Sequence, residues 1–136
     1  MSVQKPWQKR LAVLEIIYAD IMADHTNDGS KVMSHLFEHE NFDVNQLKIL
    51  EHYFENYQAV DNIIIPMCQP TWRYERISPL TKALIQCAYH EFQTLKTDKA
   101  ILINEALKTC DKRGEIRDKK FINAILDRIL IYGNNN

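Results

Sequence analysis

A chain of 136 residues with 46% apolar and 26% charged side chains has the make-up of one globular domain with a true hydrophobic core, which excludes an intrinsically disordered chain. Three glycines and four prolines are too few for an all-β chain full of tight turns. The net charge of −1 conceals an uneven spread: residues 1–10 carry +3, residues 11–61 carry −8 and residues 62–136 carry +4. Such asymmetry speaks to partners and not to fold, and it marks the two ends as the places to meet an anion.

Cys68, Cys87 and Cys110 are an odd set without CxxC spacing. That argues against a disulfide framework and a zinc ribbon, and favours buried thiols in a reducing compartment. No run approaches the roughly 20 apolar residues of a membrane span. The first ten residues lack the apolar centre of a signal peptide. The expected location is the cytoplasm.

In chain order, Pro6 suits the first position of a helix whose face is Leu11, Leu14, Tyr18 and Ile21, widened by Val13 and Ile17. Asn27-Asp28-Gly29 is a turn signal to end it. Ser30 is placed to cap a short second helix through Glu40 that buries Val32 or Met33, Leu36 and Phe37. Asp43 and Gln46 form a capping-box pattern before a third helix with the face Leu47, Leu50, Tyr53, Phe54 and Tyr57. The apolar segment 59–67 reads as a further helix ended by Pro66, with Pro70 closing the connection. Ser78-Pro79 is a strong helix start, and Leu80, Leu84, Cys87, Ala88, Phe92 and Leu95 follow on one face. A helix after Thr97-Asp98 turns Ile103, Ala106, Leu107 and Cys110 inward and stops at Gly114. The last helix starts near Asp118, buries Phe121, Ile122, Ile125, Leu126 and Ile129, and ends at Gly133 before a frayed tail, 134–136. No segment alternates with period two for long enough to be a strand. The prediction is an all-α chain of about seven helices.

No catalytic constellation stands out: there is no P-loop, no GxSxG and no glycine-rich turn. His35 and His39 match H-x-x-E-H, which sets two imidazoles one helical turn apart and, with a third ligand such as His52, describes a zinc hydrolase. The competing reading is a pair of surface histidines. Asn104-Glu105 sits mid-helix as a polar pair able to bond neighbouring helices. Lys112, Arg113, Arg117, Lys119 and Lys120 form a basic cluster, which is either a solvated face or a phosphate site. Phe121 and Asn123 follow at once, an aromatic ring and an amide that a single-stranded base could stack on and pair with. Lys5, Lys9 and Arg10 offer a second basic arm.

Three blocks resemble the NusB family of transcription antitermination factors. Trp72-x-x-x-Arg76-Ile77 with Lys82-Ala83-Leu84 and Glu91-Phe92 is similar to one family block, and Ile103-Asn104-Glu105-Ala106 to its I-N-E-A helix. Lys120-Phe121-Ile122-Asn123-Ala124-Ile125-Leu126-Asp127 is similar to K-F-V-N-G-V-L-D, and Ala12-Val13 and Tyr18 fall on the family's first-helix pattern. The resemblance implies two small helical bundles, 1–65 and 66–133, packed into a single domain over 1–136. It implies a non-enzymatic protein without cofactor or metal. Such a protein binds single-stranded boxA-type RNA together with ribosomal protein NusE in the transcription elongation complex, notably on ribosomal RNA operons. On that reading Lys5, Lys9, Arg10, Arg117, Lys119 and Lys120 take phosphates, and Phe121 and Asn123 contact or shape a base site.

The chain departs from the family pattern in three places. The arginine-rich start is reduced to Lys5, Trp7, Gln8, Lys9 and Arg10, which implies weaker and less salt-sensitive RNA binding. Thr81 stands where an acid that helps hold NusE is frequent, and Gln86 where arginine is common. A protein–protein adaptor with little RNA affinity is therefore the alternative, with the acidic stretch 11–61 attracting a basic ribosomal protein.

Overall fold

The computed structural model describes residues 4–39, 41–68, 73–113 and 116–131, and every regular element among them is helical. Six α-helices occur there: α1 (Pro6–Met22), α2 (Gly29–His39), α3 (Val44–Ile64), α4 (Pro79–Leu95), α5 (Lys99–Arg113) and α6 (Lys119–Ile129). Trp72, Pro70, Gly114, Gly133, Glu40 and the 134–136 tail, all given roles from the sequence, lie outside the described residues.

Helix α1 ends well before the Asn27-Asp28-Gly29 turn. Asp24 and His25 both take the left-handed conformation, with φ of 57° and 58°, which no helix can pass through. The His25 ring compensates by bonding Asp20 Oδ2 at 2.7 Å and stacking on Tyr57 with centroids 3.9 Å apart. Tyr18, expected inward, is exposed, whereas Asp20 is buried because it also accepts the Tyr53 hydroxyl at 2.7 Å.

The cap of α2 is Asp28, not Ser30: its Oδ1 accepts the Ser30 N–H at 2.9 Å. At Gly29 a Cβ would stand 3.0 Å from the Phe54 ring, so the missing side chain lets α2 lie close on α3. Leu36 is buried, but Phe37 is 77% exposed. Neighbours on a helix point about 100° apart, and a helix that touches the core along one stripe buries only one of them.

The capping box of α3 is closed in both directions, Gln46 N–H to Asp43 Oδ1 and Asp43 N–H to Gln46 Oε1, each at 2.8 Å. The segment expected as a separate helix continues α3 without a break, because no glycine or proline interrupts it before Pro66. This merger accounts for six α-helices among the described residues where about seven were expected. Proline then stops the helix, and a 3-10 turn, Ile65–Met67, follows.

Helix α4 begins as expected, with Ser78 Oγ accepting the Thr81 N–H at 3.1 Å and Pro79 in the first turn. It packs against α1, α3, α5 and α6, and ten of its 17 residues are buried, so the outward-reading polar side chains are enclosed as well. Each reaches a different neighbour. Thr81 Oγ1 donates to Asp118 Oδ2 at 2.8 Å, in the turn before α6. Gln86 Nε2 donates to the Tyr57 carbonyl at 3.0 Å and to Asp61 at 3.1 Å on α3, while its Oε1 accepts from His90 Nε2 at 2.8 Å. His90 Nδ1 lies 2.7 Å from His52 Nδ1. Since His90 spends its ring proton on Gln86, the bond network makes His52 the donor of that pair.

Helix α6 follows its sequence pattern, whereas α5 does so in part: Ala106 and Cys110 are buried as expected, but Leu102 is buried where Ile103 and Leu107 are only half-buried. Asp98 Oδ1 accepts the Ala100 N–H at 2.8 Å, and Leu102, Ala106 and Cys110 are buried. Phe121, Ile122, Ile125, Leu126 and Ile129 are all buried. One cluster of buried side chains joins all six helices.

Burial pushes the His90 pKa from 6.5 down to about 3 and lowers that of His52, so both rings are neutral in the fold. The unfolded chain binds these protons near the ordinary value of 6.5, so it binds more protons than the native state below that pH. Stability from this pair is therefore complete above about pH 6.5 and is lost progressively as pH falls toward the folded-state value of about 3. Urea midpoints measured across this range should fall, and fall less in a His90→Gln variant. Equal slopes in the two proteins would show that the pair does not titrate as described. Replacing Asp43 by alanine should cost about 1 kcal/mol in the same assay by opening the α3 cap.

Candidate nucleic-acid interface

The basic residues picked out by sequence fall into two groups at opposite ends of the chain, and folding brings them side by side. Trp7, in the first turn of α1, lies under the Lys112 ammonium in the last turn of α5, with Nζ 5.4 Å from the ring centroid. Asp111, the neighbour of Lys112, holds Lys119 at the start of α6 at 2.9 Å. The start of α1, the last turn of α5 and the first turn of α6 therefore form one edge. Lys5, Arg117, Lys120 and Asn123 are exposed. Arg117 makes a long contact to Asp118, 3.6 Å, with 77% of its side chain exposed.

Lys9, Lys119 and Arg10, all singled out by sequence, are paired with carboxylates within the fold. Lys9 pairs with Asp43 at 2.9 Å with both side chains well exposed, a contact that water and salt weaken readily. Lys119 is held by Asp111. Arg10 differs in kind. Its Nε and Nη2 donate to Glu91 at 3.0 and 2.9 Å, and Nη1 reaches Glu105 at 3.4 Å. Glu91 is buried and also accepts the Thr97 hydroxyl at 2.7 Å. The Glu91 hydrogen bond raises the Arg10 pKa above its ordinary value. This two-pronged pair fastens α1 to α4, with Glu105 adding α5, so the structure commits Arg10 as a clamp between helices, where the sequence reading puts it on a phosphate. Glu105 is also the polar half of the Asn104-Glu105 pair, and it does bond a neighbouring helix.

Phe121 has two readings from sequence, a stacking ring and a member of the buried stripe of α6, and its position fits the second. It is 1% exposed on the inward face of α6, so its ring belongs to the core and offers no face to a base. The aromatic ring available at this edge is Trp7, 48% exposed. The sequence contains a signal for it, a tryptophan between Lys5 and Lys9 ahead of the apolar stripe. Lys108 was also missed. Beneath Trp7 runs a groove of about 320 Å³ between α1 and α5, floored by Leu84 and Ala88 of α4 and edged by Lys108, Lys112 and Arg113.

Among the described residues the histidines singled out by sequence lie apart from this edge. The His35 and His39 rings are exposed on α2 with centroids 5.0 Å apart, while His52 faces His90. Among the described residues no three His, Cys, Asp or Glu side chains converge on a metal position. Cys87 and Cys110 are buried and Cys68 is partly so; burial pushes the Cys87 thiol up to about 12 and raises that of Cys68, which keeps both protonated at neutral pH.

Among the described residues the fold is all-helical and presents a basic edge. Comparison with known proteins gives the family. The model of the NusB family matches residues 8–130. Transcription antitermination protein NusB of Sulfurimonas denitrificans is 29% identical over 127 residues, covering 90% of this chain and 93% of that protein. Transcription antitermination protein NusB of Helicobacter pylori is 29% identical over 126 residues, covering 90% and 89%. A solved structure of a conserved hypothetical protein from Mycoplasma genitalium, described as showing structural homology to NusB proteins, superimposes with a TM-score of 0.75. It is 24% identical and covers 93% of this chain and 99% of its own. The chain belongs to the NusB family.

Removing Arg10 strands the buried Glu91 carboxylate. Arg10→Ala should lower stability by about 2–4 kcal/mol, near the bottom of the range for a broken buried pair because a quarter of the Arg10 side chain meets solvent. Arg10→Lys should recover only part of this, since an ammonium cannot form the fork. Urea denaturation decides it; a loss under about 0.5 kcal/mol, the level of a surface pair, would remove the clamp role.

Proposed function

We propose that this chain is an RNA-binding transcription antitermination factor that acts in the cytoplasm by positioning its partners, without turnover. Its RNA would be a single-stranded boxA-type segment, bound together with ribosomal protein NusE in the elongation complex that transcribes ribosomal RNA operons. The observation that carries this reading is the shared edge at Trp7–Lys112 and Asp111–Lys119, which joins two basic segments over a hundred residues apart in a NusB-family fold. Lys5, Lys9, Arg117, Lys119 and Lys120 meet phosphates there, and Asn123 contacts a base. Lys9 and Lys119 exchange their exposed carboxylates for phosphates at little cost. The helical groups 1–65 and 66–133 act as one unit, since α4 is packed by helices of both.

Thr81 gives NusE no acid to hold. It is buried against Asp118, so attraction for a basic ribosomal protein falls to the acidic surface of residues 11–61.

Labelled boxA-like RNA titrated with and without NusE at graded salt tests this. Saturable binding is expected, with a log–log salt slope of about −3 for four or five phosphate contacts on a single strand. Absence of any complex at low salt, in both arms, would sink the proposal. The adaptor reading draws on the internal ion pairs of Lys9, Arg10 and Lys119, which reduce the cations on offer. It calls for NusE binding with flat RNA titrations.

A further inference from the structure

We propose that the groove between α1 and α5 receives one unstacked base of a single-stranded RNA, with Trp7 as its stacking partner and Lys108, Lys112 and Arg113 on the flanking phosphates. The inference rests on the RNA reading and adds a site to it. That reading assigns no RNA contact to any of these four residues, and Trp7 lies just before the range over which the family model matches.

The groove has the properties such a ligand requires. Its volume, about 320 Å³, lies at the lower end of the range for small-molecule pockets and suits one flat ring system. Leu14, Leu84, Leu102 and Ala106 line it with apolar surface, as an unstacked base needs once it leaves its neighbours. Four cations and two carboxylates also line it, in a chain whose net charge is −1. The carboxylates, Glu91 and Glu105, are both engaged by Arg10, and Glu105 also lies 3.9 Å from Lys108, so the excess of cations at the rim sets the sign of the local potential.

Charge and shape together select the occupant. An apolar peptide side chain would fill the floor but have no use for the basic rim. A polynucleotide brings a π-face for the indole and a phosphate on either side of it. Lys112, already over the Trp7 ring, has a flexible stem and can turn from the indole to a phosphate without moving the helix.

The test is a boxA-like RNA titration of the full chain, with NusE present and absent, read by anisotropy and by indole emission. RNA should quench the emission of the native protein. The quench should vanish in Trp7→Phe, which retains Trp72 as its one indole. Trp7→Ala should weaken RNA binding about 5- to 100-fold, the usual worth of one base–aromatic stack, and Trp7→Phe should restore most of it. Because the quench is read on the native chain, a folding defect in a variant cannot imitate it. RNA that binds the native chain without quenching, and binds Trp7→Ala equally well, overturns the base site and leaves the RNA reading standing. A Trp7→Ala variant that loses NusE but not RNA makes the groove a protein-docking site and also overturns it. No RNA binding by the native chain removes both.

Discussion

The structure depends on the requirement that every polar group on α4 find a partner. This helix is surrounded by α1, α3, α5 and α6, so Thr81, Gln86, His90 and Glu91 have no water to turn to. A buried polar group left unpaired costs about 1–3 kcal/mol, and more if charged. Each of the four is satisfied by a different part of the chain: Asp118, Tyr57 with Asp61, His52, and Arg10 with Thr97. Among the described residues no buried side-chain nitrogen or oxygen lacks a partner. Apolar packing alone would tolerate a helix rotated or slid by a residue or two. A set of directional bonds at four heights does not, so these residues determine the register of the surrounding helices as well as contributing to their cohesion.

That arrangement also explains which parts of the fold could be read from sequence. Caps and breakers act locally, so Asp43 with Gln46, Ser78 with Pro79, and Pro66 could each be recognised from a few adjacent residues. The inward stripe of α6 was legible because that helix is buried on one side and polar on the other. Helix α4 does not obey this rule. Gln86, His90 and Glu91 have the appearance of a solvated face, and only the positions of four other helices reveal that they are inside. Phe37 is the reverse case, an apolar residue on a helix that reaches the core with too narrow a stripe to cover it. Tyr18 and Asp20 exchange places for a related reason: the Tyr53 hydroxyl draws the carboxylate inward.

The candidate site divides along the same line. Sequence identified the two basic segments, because charge can be counted without knowing the fold. It could not say which charges were already committed. Arg10 looks like Lys9 in a string of letters, yet one is forked onto a buried glutamate and the other rests loosely on an exposed aspartate. Phe121 looked like a stacking residue because it follows two lysines, but the helical stripe to which it belongs turns it inward. Trp7 had the complementary fate, since a lone aromatic near a chain start carries no periodic context. The basic edge is thus a product of folding, assembled from cations that the core leaves over.

The position of α2 has a consequence for motion. Its main packing is on α3, through a first turn brought close by Gly29, and Leu36 is its one fully buried side chain. It makes none of the bonds that tie α4 to its neighbours. Elements with few buried contacts open at free energies well below that of global unfolding. Helix α2 can therefore detach and return as a separate cooperative unit, with its amides exchanging hydrogen for deuterium long before those of α4. The chain then has two tiers of order, a slow interior wired through α4 and a fast helix resting on the acidic half of the surface.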